Sequence, residues 1–159
     1  MALYLSIPIQ AQSLSNVSAR IDLAQSGSYI FGFVVPGTGP LELLLRAVGP
    51  SLRPFGVTSP AALPSMRVFD SKGHMLVFSY VAGPPNNQVD FPSVIAAAGA
   101  FPLTGGEQAG TSYNYGVFEP GNYTVFVADG SGKGGTILFE LYVLSGTAVG
   151  NPLPVTLPQ

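Results

Sequence analysis

No cysteine and no tryptophan occur among the 159 residues, and histidine occurs once. The missing thiols exclude disulfide bridges, thiolate catalysis and thiolate metal sites. Charge is scarce too: 9% of residues are charged, against about 25% in ordinary globular domains, with six basic and eight acidic side chains and a net charge of −2. These charges are scattered singly, so there is no basic stripe of the kind that neutralises nucleic-acid phosphates. No stretch approaches the roughly 20 consecutive apolar residues that a membrane-spanning helix requires. A chain of this length buries roughly two-thirds of its unfolded surface and folds without metal or disulfide staples.

Glycine (20), proline (15) and a hydrophobic share of 47% are abundant. The Gly and Pro residues punctuate short β-branched or aromatic segments with period-two patterning, which reads as all-β. Strands are expected at Leu3–Ile9, Leu14–Ile21, Ser28–Val35, Leu41–Val48, Met66–Asp70, His74–Tyr80, Thr111–Phe118, Asn122–Ala128 and Thr136–Leu144, arranged as an antiparallel sandwich of two sheets. One short helix is expected over Pro92–Ala100, with proline in its first turn and Gly99 near its end. The turn Asp70-Ser71-Lys72-Gly73 joins two strands as a hairpin, and Glu119-Pro120-Gly121-Asn122 has the composition of a type II turn. Residues 13–146 read as the sandwich domain, between an N-terminal arm (1–12) and a Pro-rich tail (147–159) whose prolines cannot join the interior of a sheet.

Several phrases carry a family resemblance: LSNVSAR (Leu14–Arg20), GFVVPGTGP (Gly32–Pro40), LLRAVGPSLRPFGV (Leu44–Val57), VFD (Val68–Asp70), PGNYTVFV (Pro120–Val127) and FELY (Phe139–Tyr142). Together they resemble a module, often in tandem, of large secreted and surface proteins of environmental bacteria. The Pro-Gly-Asn-Tyr-Thr strand is also similar to the bacterial pre-peptidase C-terminal domain and other jelly-roll modules. The resemblance covers residues 14 to about 145 and implies an extracellular or cell-surface β-sandwich without catalytic residues. Related modules tend to carry an Asn/Asp cluster after the hairpin, whereas here only Asp70, Asn86, Asn87 and Asp90 offer oxygens, too few for the six to eight that calcium prefers. No cofactor is expected.

Enzyme chemistry has little to build on. His74 follows directly on the Ser71–Gly73 turn and reads as a solvated edge residue, and the acids do not pair as glycoside hydrolysis requires. The Gly-rich Asp129–Gly135 loop is followed by a strand, not by the helix that a phosphate-binding loop opens. Arg46 is more pointed: inside the most apolar strand it needs a buried partner, and Asp70 or Glu140 can supply a structural ion pair. The rings of Tyr113, Tyr115, Phe118, Tyr123, Phe126, Phe139 and Tyr142 fit core packing better than a sugar platform. The sequons at Asn16 and Asn122 suit a secreted surface.

The arm ALYLSIPIQ places Leu3, Leu5, Ile7 and Ile9 on one side. It has an apolar run but no basic residue before Arg20, unlike a secretory signal. Either it folds back on its own domain or it adds to a sheet of the next copy by strand donation, which repeated head to tail builds a filament. The expectation is therefore a structural subunit of an extracellular filament whose partners are copies of itself. The alternative is a carbohydrate-binding or adhesive module with a polysaccharide ligand.

Overall fold

The computed structural model describes residues 16–80, 91–103 and 110–146, with the side chains of residues 78, 80, 91, 145 and 146 left undescribed. The donor residues Leu3, Leu5, Ile7 and Ile9, the extra N-terminal strand, the Pro-rich tail and the ligand candidates Asn86, Asn87 and Asp90 lie outside the described residues.

The described strands are β1 (Asn16–Leu23), β2 (Ser28–Val35), β3 (Leu41–Val48), β4 (Pro64–Phe69), β5 (Met75–Tyr80), β6 (Thr111–Phe118), β7 (Gly121–Asp129) and β8 (Gly135–Gly146). They form two four-stranded antiparallel sheets, ordered β1-β8-β3-β6 and β2-β7-β4-β5. The protein is thus an all-β, two-sheet antiparallel sandwich. Alternation drives it: Leu43, Leu45 and Ala47 of β3, Ile137 and Phe139 of β8, Met66 and Val68 of β4, and Val125 and Val127 of β7 share one buried cluster. Residues two apart on a strand point the same way, so one face of each sheet meets the other.

The chain changes sheet at nearly every connection. Among the described strands only β4 and β5 are both sequential and hydrogen-bonded, and their turn places the Gly73 nitrogen 3.0 Å from the Asp70 carbonyl oxygen, with Gly73 at φ 79°. By contrast, Glu119–Asn122 joins β6 of one sheet to β7 of the other. Turn composition marks where the backbone reverses and is silent on whether the arms pair in one plane.

Strand β3 is buried along almost its whole length because both of its faces are covered. Its outward Leu44 packs with Ile95 and Ala100, and its outward Val48 with Leu52, Val57 and Leu103. Two helical pieces supply this cover. Helix α1 spans Phe91–Ala97, ending earlier than the expected Ala100, and Gly99 adopts φ 65° just beyond it. The other is a 3-10 helix, Pro50–Phe55, which the strand-and-turn reading did not anticipate. Pro50 presets its first turn, and Gly56, left-handed at φ 84°, closes it with N–H donation to the Arg53 carbonyl at 3.0 Å. The phrase Leu44–Val57 is therefore the greater part of an inner strand plus the turn that folds back over it.

Candidate functional site

Arg46 lies on the outer face of its sheet, directly opposite Glu140 of β8 and Tyr113 of β6. It is nevertheless wholly buried, at 0% exposure. Its Nε donates to Glu140 Oε2 at 2.6 Å and its Nη1 to the Phe101 carbonyl at 3.0 Å. The guanidinium carbon stands 4.4 Å from the Phe101 ring centroid and 5.9 Å from that of Tyr142. Tyr142 in turn donates its hydroxyl to Glu140 Oε1 at 2.7 Å. Burial alone lowers an arginine's pKa, but the hydrogen bond and charge of Glu140 outweigh it and the pKa is raised. For Tyr142, burial and then Glu140 push the phenol up to about 12. This centre holds the segment carrying Phe101 against the sheet.

Asp70, the other carboxylate proposed for Arg46, is not brought to it. Its Oδ1 accepts the backbone N–H groups of Lys72 (2.8 Å) and His74 (2.9 Å), and its Oδ2 meets His74 Nδ1 at 3.1 Å. The His74 backbone donor leads in lowering its pKa. The turn needs this acceptor locally, and Asp70 sits on β4's sheet, across the sandwich from β3. His74 stands at an exposed turn edge. Among the described residues, no group of three or more His, Cys, Asp or Glu side chains gathers to hold a metal ion.

Asp129, which the sequence reading passed over inside a Gly-rich loop, organises the arch between β7 and β8. Its Oδ1 accepts from Leu63 N (2.9 Å) and Ser131 N (3.3 Å), and its Oδ2 from Ser131 Oγ (2.5 Å), Lys133 N (3.1 Å) and Gly134 N (3.0 Å). Burial raises its pKa, yet the Ser131 hydroxyl and the backbone donors overcome this and the net shift is downward. At Gly134, φ 78°, a Cβ would stand 2.4 Å from the Leu23 carbonyl oxygen. The loop is a carboxylate-centred corner that spends its N–H groups on Asp129, leaving them engaged rather than open to a phosphate. The available signal was Asp followed by Gly-Ser-Gly, the composition of an Asx-type turn.

The aromatic residues do not form one platform. Phe118, Tyr123 and Phe139 belong to the inner core, Tyr113, Tyr115 and Tyr142 to the covered outer face of the other cluster, and Phe126 to the outer face of β7's sheet. There it meets the edge of Phe69 at 5.4 Å and Arg67 at 5.8 Å. Asn16 and Asn122 are both exposed.

The sheet edges differ more than the faces. Edge strand β6 is largely buried, and Ser112 meets Ser79 of β5 at 2.8 Å across the gap between the sheets. Edge strand β1 is exposed but charged at Arg20 and Asp22. Edge strand β2, SYIFGFVV, is exposed, eight residues long, and free of charge, proline and register shift. Tyr29, Ile30 and Val34 are 50%, 55% and 51% exposed. On its inner side, Phe31 stacks on Phe139 at 4.3 Å and Phe33 on Tyr123 at 5.0 Å, both only partly buried.

These features define an all-β sandwich module in which, among the described residues, the uncharged edge strand β2 has no neighbour on its outer side. The chain is similar to the pre-peptidase C-terminal domain of a collagenase from Bacillus anthracis, with 8% identity, a TM-score of 0.48, and coverage of 80% of this chain and 89% of that one. It is also similar to part of a cycloisomaltooligosaccharide glucanotransferase from Paenibacillus sp., solved with cycloisomaltoheptaose, at 12% identity and a TM-score of 0.37. That alignment covers 85% of this chain and 17% of the glucanotransferase. No family model and no curated protein matches the sequence. None of the described helices is long and apolar enough to cross a membrane.

Proposed function

We propose that the chain is a structural subunit of an extracellular bacterial surface assembly, polymerising head to tail by donating its N-terminal segment, Leu3–Ile9, to a neighbouring copy. The observation that carries this reading is that residues 16–146 already supply both sheets and a shared core. An alternating apolar segment precedes them and is not needed to close the sandwich. Burying Leu3, Leu5, Ile7 and Ile9 is worth about 1.5–3 kcal/mol each before ordering costs, together comparable to the stability of a whole domain. Sparse charge across the sequence favours contact between like subunits. A polysaccharide platform has less support, because the rings that would build it are divided among three faces.

Deleting residues 1–12 tests the proposal. Electron microscopy and sedimentation of the full chain are expected to show polymers, and the deletion variant is expected to be a folded monomer. Polymers that persist after the deletion refute strand donation.

A further inference from the structure

The proposal of strand donation leaves the receiving site unassigned, and the four sheet edges are not equivalent candidates. Natural sheets blunt an edge with charge, proline, a bulge, short length or a covering segment. Strand β1 carries Arg20 and Asp22. Strand β5 has only six residues and pairs with β4 across a register shift between Val68 and Phe69. Strand β6 is covered along most of its length, with Thr111, Ser112 and Asn114 buried. Strand β2 has no charge, proline or bulge: it pairs regularly with β7 from Ser28↔Ala128 to Val35↔Gly121, and among the described residues no strand pairs with its other side.

The chemistry beside that edge also selects an occupant. Tyr29, Phe31 and Phe33 form a row of rings along the inner side of β2, with Tyr29 and Phe31 5.0 Å apart. Phe31 and Phe33 are anchored inward on Phe139 and Tyr123 but remain partly exposed. A strand added outside β2 would place every second side chain over this row, continuing the sandwich interior by one strand. Such a strand needs apolar residues at alternate positions, small or polar ones between, and no charge. The segment 3–9 of this chain meets each condition: Leu3, Leu5, Ile7 and Ile9 alternate with Tyr4, Ser6 and Pro8. Its seven residues also match the eight of β2.

We infer that β2 is the acceptor edge: residues Leu3–Ile9 of a second copy add to it as a fifth strand of the β2-β7-β4-β5 sheet, seating their apolar side chains against Tyr29, Phe31 and Phe33. This rests on the donation reading above and specifies its receiving site.

The absence of cysteine makes a cross-linking test clean, because no native thiol competes with the introduced ones. One set of full-length chains carries Tyr4→Cys or Ser6→Cys, on the side of the arm opposite its apolar residues. The other carries Ile30→Cys or Val34→Cys on the exposed outer side of β2, or Val117→Cys on β6 as a control of comparable exposure. Directly opposed residues of paired antiparallel strands have Cα atoms about 4.5–5.5 Å apart, inside the roughly 4.4–6.8 Å span that a disulfide bridges. Mixing an arm variant with an Ile30→Cys or Val34→Cys variant is expected to give disulfide-linked heterodimers on mild oxidation, and mixing with Val117→Cys to give none.

Cross-links to Val117→Cys, or none to β2 in chains that still polymerise, overturn the acceptor assignment while leaving donation intact. A chain carrying both an arm and a β2 cysteine that closes only an intrachain disulfide at high dilution, and stays monomeric when concentrated, shows the arm on its own edge and overturns the inference. Polymers surviving deletion of residues 1–12 reject donation itself, a separate result from failure of the β2 contact.

Discussion

Removing one charge of the Arg46–Glu140 pair is expected to destabilise the fold more than removing both. Arg46→Met deletes the donor 2.6 Å from Glu140 and leaves a buried carboxylate with the Tyr142 hydroxyl beside it. It also strips the Phe101 carbonyl of its donor at 3.0 Å. Glu140→Met leaves the guanidinium buried with the Phe101 carbonyl and ring beside it but without its counter-charge. Breaking a buried pair from one side costs about 3–5 kcal/mol, a large part of the 5–15 kcal/mol that a domain possesses, and lowers Tm by roughly 10 °C in a chain of this size. In the double variant neither charge remains at this centre. What persists is an unpartnered Tyr142 hydroxyl and an unpartnered Phe101 carbonyl, about 1–3 kcal/mol each, without the larger cost of a lone buried charge. The double variant should therefore exceed either single in stability. Urea denaturation of the four proteins measures this directly, and a single variant that cannot fold beside a double that does meets the same expectation. Singles that each lose under about 1 kcal/mol, as exposed pairs do, or a double that loses the sum of the singles, refute the reasoning.

Tyr142 gives an alkaline counterpart. Its phenol is held up to about 12 by burial and by Glu140, above the unfolded value near ~10, so the stability it contributes is whole below pH ~10 and is lost as pH rises through about 12. Urea midpoints across that range should fall more steeply for the native chain than for Tyr142→Phe, and parallel slopes would contradict this. Asp129 acts at the opposite end: its folded pKa is lowered, so its contribution is present above the unfolded value near ~4 and disappears as pH falls through the folded one. Asp129→Asn turns an amide N–H₂ or its oxygen against five donors that want a carboxylate. It is expected to cost about 3 kcal/mol at neutral pH and to flatten the acid limb of stability, as read by circular dichroism melts; a variant that keeps the native acid limb would show that Asp129 is not its source.

Much of the architecture was legible because its signals are local. The expected bounds of β2, β3 and β6 coincide with the observed ones, since alternation and flanking Gly, Pro and Ser act within a few residues. What stayed hidden is non-local. Glu140 and Asp70 were equal candidates for Arg46 because the choice depends on β8 lying beside β3, a neighbour relation that no stretch of sequence states. The crossing at Pro120–Gly121 was hidden for the same reason. The 3-10 helix was obscured because Pro50-Ser-Leu-Arg-Pro-Phe55 has no helical period, and its formation depends on Leu52 and Val57 packing under Val48. Asp129 was missed because glycines suggested freedom, whereas Gly134 is there to let the chain pass close to Leu23.

The two sheets also treat their apolar surface differently, and the difference bears on assembly. Outside β3 the chain covers its own surface with residues 50–57 and 91–103, and it fixes the cover through Arg46 and Phe101. Outside β2 no described segment does so, and the edge has no charge to repel a partner. Left in water, such an edge would pair with any extended apolar chain. Under the proposed addition, the free edge of the enlarged sheet becomes that of the donated segment, paired in the direction that turns Pro8, which lacks a ladder N–H, away from β2. A further strand then finds a poorer template than β2 offered. One arm and one acceptor per copy, with the new edge weakened by proline, favour growth along a line over lateral spread into a sheet of indefinite width.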